Sequence, residues 1–154
     1  MAASRFVRSV WTSFIEAGGL EGKLLQNLQI TSVEPGRVRF KLDIEKHHTN
    51  RLGMLHGGTI ATLVDLGGSL AIASRGFHAT GVSTDLSVTY INSGGTVGQT
   101  VRAETICEKY GKSMAFTSIT FHNEADELVA RGSHTKYIRG AWNDPRNIVE
   151  EVSK

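Results

Sequence analysis

The sequence predicts an α+β domain in which a curved antiparallel sheet wraps around one long central helix. From Ile60 to Ala73 the residues are Ile, Ala, Leu, Val and Gly, broken only by Thr62, Asp65 and Ser69, so a helix there has no face suited to water. Two segments of alternating polarity precede this stretch and four follow it, as antiparallel strands with one buried face do. At 154 residues and 40% apolar content the chain is long enough for one core.

Residues 1–24 read as a helical segment packing on the domain, with Phe6, Val7, Val10, Trp11, Phe14 and Ile15 at helical spacing. Arg5 and Arg8, with no acid before Glu16, also give it a faint likeness to a mitochondrial transit peptide, so cytoplasmic and mitochondrial placements both stay open. The main domain spans 25–138. Leu28, Ile30 and Val33 lead to the turn Glu34-Pro35-Gly36-Arg37, and Val38, Phe40, Leu42 and Ile44 then alternate with Arg39, Lys41 and Asp43, which makes a hairpin. After the central helix come Thr84, Leu86, Val88 and Tyr90, a glycine turn at Ser93–Thr96, a strand through Val101 to Cys107, another through Ala115 to Phe121, and a last from Leu128 to Ile138. Residues 139–154 lose the pattern, with a turn at Asp144-Pro145 and a short polar helix behind it. No function attaches to this tail.

Composition excludes several classes. No apolar run approaches the roughly 20 residues of a membrane span. A net charge of +2 is too small to imply nucleic acid, yet would not repel a small anionic ligand. Cys107 stands alone, which rules out an intrachain disulfide, favours a reducing compartment and suits a packed thiol. His47, His48, His78, His122 and His134 lack ligand spacing, so no metal is expected. A single-layer sheet leaves apolar outer surface, and a long strand such as Ser83–Ile91 invites pairing with another copy.

Asp65 is the informative residue. A carboxylate inside an apolar helix is expected to be buried, with its pKa raised toward that of a useful base, and it needs either a structural partner or a function. Gly57 and Gly58 at the helix start are expected to leave backbone N–H groups open at the positive end of the helix dipole, which suits an oxygen acquiring negative charge. Close helix–sheet packing is the structural alternative for the same glycines.

His48-Thr49-Asn50, Gly53, Leu55-His56-Gly57-Gly58, Ala61–Asp65, Val82-Ser83, Tyr90 and Gly111-Lys112-Ser113 together resemble the hotdog-fold acyl-CoA thioesterases of the phenylacetyl-CoA thioesterase-like group. The resemblance covers roughly Leu25 to Ile138. It implies hydrolysis of fatty (medium- or long-chain) or aryl acyl-CoA, with Asp65 activating water, Ser83 positioning it, Asn50 orienting water or the thioester oxygen, and His56 and Gly57 polarising the carbonyl. It also implies coenzyme A contacts at Gly58, Tyr90, Asn92, Ser93, Gly94, Lys109, Tyr110, Gly111, Lys112, Ser113, Met114 and Tyr137. No cofactor is implied, coenzyme A being part of the substrate. Lys136 is a further candidate for the phosphates. The segment Asn92–Thr96 departs from relatives in lacking a proline and a basic residue, and its glycine amides could serve as an anion nest instead. Asn50 also fits as a turn former, and His56 as a helix cap.

Asp65 follows Gly57 by eight residues, so it lies about 12 Å further along the same helix. Reacting atoms must approach to about 3–3.5 Å, so both groups can act on one thioester only from different protomers. A homo-oligomer with a shared site follows, a dimer of dimers by resemblance. The other readings are a non-catalytic acyl-CoA-binding module and a dehydratase using a His paired with an acid.

Overall fold

The computed structural model describes residues 2–154. Helix α1 (Ala2–Ala17) buries Ala3, Val7, Val10 and Trp11, as the spacing predicts, and a short α2 (Leu20–Leu24), which the pattern does not separate from it, follows. The hairpin of β1 (Gln29–Glu34) and β2 (Arg37–Asp43) pairs Glu34 with Arg37, and Gly36 supplies the positive φ of its turn. Helix α3 (Gly57–Ala73) starts three residues before the apolar run, at the glycine pair.

Strands β3 (Val82–Tyr90), β4 (Thr100–Tyr110), β5 (Met114–His122) and β6 (Leu128–Tyr137) complete a six-stranded antiparallel sheet of order β1-β2-β4-β5-β6-β3. The expected architecture is present. The chain leaves α3, crosses the sheet and lays β3 along its far edge, where most of its residues are exposed. The strand expected to be free for edge pairing is therefore at an edge.

The inner faces of the strands cover α3. Phe121, Ile119, Thr117 and Ala115 of β5 pair with Ala130, Gly132, His134 and Lys136 of β6, so an apolar floor becomes polar toward one end. Between Ser83 and Asp85 a bulge shifts the β3 register, so Ser83 opposes Lys136 while Leu86 opposes His134. Without that extra residue Ser83 and Leu86 would face opposite sides, since strand side chains alternate.

Gly67 and Gly68 set how closely α3 approaches. A Cβ on Gly68 would lie 2.5 Å from His134 Nδ1 and 2.8 Å from Thr117 Oγ1, and one on Gly67 would lie 2.6 Å from Ile119 Cδ1. The Thr105 hydroxyl donates to the Gly67 carbonyl at 3.0 Å across this contact. Cys107 is buried and its thiol is pushed up by desolvation, the behaviour of a packed thiol. In the tail, a 3-10 turn (Arg139–Asn143) and α4 (Val149–Val152) fold back, with Phe77 edge-on to Trp142 and Tyr110. The short polar helix read from the sequence is α4.

Gly68→Ala is expected to destabilise the fold by about 1–3 kcal/mol through overpacking, because its neighbours are a buried ring and a strand hydroxyl with no room to yield. Urea denaturation with an unchanged slope would measure it.

Candidate active site

Asp65 is not buried in the chain by itself. Its side chain is 55% exposed, so the burial expected of it is not supplied by one copy. The cause is the position of β3: the sheet ends there, and Gly58, Ala61, Thr62 and Asp65 form a stripe of α3 that no strand covers. The stripe opens on a groove of about 360 Å³, whose apolar wall includes Phe14 of α1, Leu20 of α2, Leu66 and Leu86. Thr62, Asp65 and Ser69, the three polar residues interrupting the apolar run, all line it, with Glu21 opposite.

Under Asp65 lies His134, which the sequence reading set aside. The ring is buried, its Nδ1 is 3.1 Å from the Asp65 backbone carbonyl, and its Nε2 is 2.7 Å from Ser83 Oγ. A carbonyl can only accept, so Nδ1 carries the proton and donates. Desolvation pushes the His134 pKa down, outweighing the opposing pull of Asp65, and so favours the neutral ring. Nε2 then accepts the Ser83 proton, which leaves the lone pairs of Ser83 Oγ for a water. Asp65 Oδ2 stands 3.9 Å from the same Nε2. Asp65, His134 and Ser83 thus form one cluster. The available signal was the period-2 placement of His134 on the inner face of β6, which could not say what lay above it.

The glycine end of α3 forms a second cluster. His56 Nδ1 accepts from Gly58 N–H at 2.7 Å, so the expectation that both glycine amides stand open is corrected. The Gly57 N–H has no acceptor among the described residues. Because Nδ1 of His56 accepts, Nε2 bears the proton of the neutral ring and can donate outward. His56 is a cap and a candidate donor together, and within one chain no carboxylate among the described residues lies within 4 Å of it. Tyr90 donates its hydroxyl to the Gly57 carbonyl at 2.7 Å. Asn50 Oδ1 accepts from Leu52 N and Met54 N at 2.9 and 3.2 Å, closing a turn around Gly53, which leaves its amide N–H₂ as the group able to meet an oxygen.

The proposed coenzyme A residues divide between the two ends. Tyr90, Asn92, Ser93 and Gly94 lie with Gly57 and Gly58, whereas Tyr137 opposes Val82 at the far end of β3 and Met114 opposes Tyr137. Nine residues of β3 separate them, about 26 Å at strand rise. One chain does not bring these residues together. Lys109, Gly111 and Lys112 are exposed around the β4–β5 turn beside Tyr110, and Ser113 O accepts from Ile138 N at 2.7 Å.

Two expectations here are corrected. Gly95 N–H is taken by Ser93 Oγ at 3.2 Å, so that amide is not open to an anion, and Gly94 is packed against Leu55. Lys136 is 4% exposed and donates to Ser69 Oγ and Thr80 Oγ1, out of reach of a surface phosphate. His48 is likewise structural: it accepts from Glu45 N and donates to Leu24 O, and burial lowers its pKa. No group of three or more His, Cys, Asp or Glu among the described residues is placed to hold a metal ion.

Known proteins share the sequence family and the fold. Residues 52–130, half of the chain, match the family model of the Thioesterase superfamily. Human acyl-coenzyme A thioesterase 13 is 36% identical over 133 residues, 86% of this chain and 94% of that protein. The crystal structure of zebrafish thioesterase superfamily member 2 superposes with a TM-score of 0.74 at 34% identity, covering 86% of this chain and 93% of that one. A Streptococcus mutans protein bound to acetyl CoA superposes with a TM-score of 0.67 at 29% identity, covering 73% and 89%.

Lys136 provides a test of the burial pattern. Desolvation lowers its pKa to about 8, below the ordinary lysine value, so between about pH 8 and 10.5 the unfolded chain holds more protons than the folded one and stability rises with pH. The full penalty, on the order of 3 kcal/mol, is present below pH 8 and is relieved as pH climbs. In Lys136→Met that part of the pH slope should vanish in chemical denaturation at pH 7 to 10.

Proposed function

The chain belongs to the thioesterase superfamily and is a thioester hydrolase, and from that premise we propose that it cleaves fatty (medium- or long-chain) or aryl acyl-CoA in a site shared by two copies, without metal or cofactor. One observation carries this reading: the Gly57–His56–Asn50 cluster sits at the start of α3 beside the Tyr90 end of β3, whereas the Asp65–His134–Ser83 cluster sits at the middle of α3, two helical turns on, beside the opposite end of β3. Antiparallel pairing of the exposed β3 edge with a second copy about a two-fold axis sets each cluster beside the other copy's complement. The same pairing covers the open stripe of α3 and brings the Tyr90–Gly94 segment of one copy toward Tyr137 and the Tyr110–Met114 turn of its partner. A dimer of dimers would cover further outer sheet surface.

In this site a water held by Ser83 Oγ and Asp65 attacks the thioester carbon, and the Asp65 carboxylate takes its proton. The carbonyl oxygen becomes an oxyanion facing the Gly57 N–H and the His56 Nε2–H of the partner subunit, where one such donor is worth about 2.7–4 kcal/mol. Collapse breaks the carbon–sulfur bond, and the proton held by Asp65 passes to the departing thiolate. Asn50 of the partner subunit offers its N–H₂ to the thioester oxygen. The groove beside Asp65 accepts the acyl group against Phe14, Leu20 and Leu86, and release of free thiol from a panel of acyl-CoAs would rank chain length against aryl groups.

Asp65→Asn should lower kcat by about 10²–10⁴ with the fold intact. Gly57→Pro removes the N–H and sets its added Cβ in ordinary contact with the Tyr90 ring at 3.4 Å; proline is tolerated at the first helical position, and His56 already has the extended backbone a pre-proline residue prefers, at φ −68 and ψ 136. Each variant alone should be nearly inactive. Mixed after unfolding, they should recover about a quarter of wild-type turnover, since half the random dimers carry one intact site. Absence of recovery in a mixture shown to contain hybrid dimers would exclude the shared site.

A further inference from the structure

Beneath the groove lies an ammonium group that this hydrolysis does not use. Lys136 projects from the inner face of β6, two residues past His134, and its Nζ donates to Ser69 Oγ at 2.7 Å and to Thr80 Oγ1 at 3.1 Å. Both acceptors are neutral, and no carboxylate among the described residues lies within 4 Å. A buried cation held by hydroxyls alone loses its hydration without an ion pair in return, and an apolar side chain of similar length would avoid that loss. Stability does not explain the charge.

Its surroundings do. Glu21 of α2 and Asp65 of α3 are the carboxylates whose field reaches Lys136, and both line the groove. On its own strand, two residues away, stands His134, which burial foremost and Lys136 in addition disfavour as a cation while Asp65 and Asp85 of β3 favour it. With the proton pulled one way by two carboxylates and the other way by burial and Lys136 together, the charge on the lysine helps decide the state of the imidazole. A protonated His134 would donate from Nε2 and could close on Asp65 Oδ2, now 3.9 Å away, as an ion pair. It would also turn the Ser83 proton outward, removing an acceptor from the attacking water.

We infer that Lys136 is a positioning residue for the hydrolysis at Asp65: its buried charge, two residues away on the same face of β6, adds to burial in keeping the His134 imidazole neutral, so that Ser83 donates to His134 and the Asp65 carboxylate stays free for water. This rests on the proposed role of Asp65. Lys136 touches no reacting atom and acts only through His134 and Ser69.

The test uses the full-length protein, with Lys136→Met, Lys136→Gln and the charge-retaining Lys136→Arg, read by ¹⁵N NMR titration of the His134 ring, thermal unfolding and the pH dependence of kcat. In the Met and Gln variants the His134 titration is expected to move up by about one pH unit, a tenfold change in proton affinity, and the acid limb of kcat to follow it. On the acid limb kcat at a given pH should fall about tenfold, with a smaller loss near neutral pH, while KM changes less than about threefold, the pattern of a lost transition-state contribution. Thermal stability should hold or rise, and Lys136→Arg should restore the profile. An unmoved His134 titration, or a loss of stability in step with activity, would overturn the proposal, as would failure of the Met and Gln variants to fold. If the wild-type protein hydrolyses no acyl-CoA, the functional reading fails, while the His134 titration still decides whether Lys136 governs the ring.

Discussion

The closeness with which α3 lies on β5 and β6 governs most of what this molecule can do. Gly67 and Gly68 remove the side chains that would hold the helix off, and the space is filled from below by Ile119, Thr117 and His134. At that separation the Asp65 carbonyl meets the His134 ring and the Gly67 carbonyl meets the Thr105 hydroxyl. A helix displaced by one methyl group would lose these bonds and leave buried polar atoms without partners, which costs more than the bonds themselves contribute.

The polar groups under the helix are accordingly linked. Thr117 donates to the His134 carbonyl, His134 to Asp65, Ser83 to His134, and Lys136 to Ser69 and Thr80. Such a network in a low dielectric is rigid when complete and expensive when broken. It places the Asp65 carboxylate at the boundary between this polar patch and an open groove. At the start of the helix the capping of Gly58 by His56 leaves one amide and one ring N–H without an acceptor among the described residues. These halves are about 12 Å apart along one helix, too far for a single chain to bring both to one thioester.

Several site features were legible in the residues and several were not. The glycine pair, the lone carboxylate and the upstream Asn could be picked out because their types are unusual for their positions. Their hydrogen-bond states could not: Gly58 is capped, Asn50 spends its carbonyl on a turn, and Gly94 is needed for packing under Leu55. Composition cannot say whether an amide is free, because that depends on which acceptor lies across space. His134 and Lys136 were misjudged for the same reason, one as an unremarkable histidine and the other as a surface lysine.

By itself the sequence determined the order of elements, the alternation that gives each strand an inner face, and the apolar helix those faces must cover, since these depend on local periodicity and the hydrophobic effect. It also separated Asp65 from Gly57 by more than two helical turns, a consequence of helix rise alone. Only the tertiary structure decided that Asp65 would be exposed, that a bulge would turn Ser83 inward, and that an imidazole and an ammonium would stand beneath the carboxylate. Those outcomes follow from strand order and register, which join residues remote in the chain, and no local pattern encodes which of them will meet.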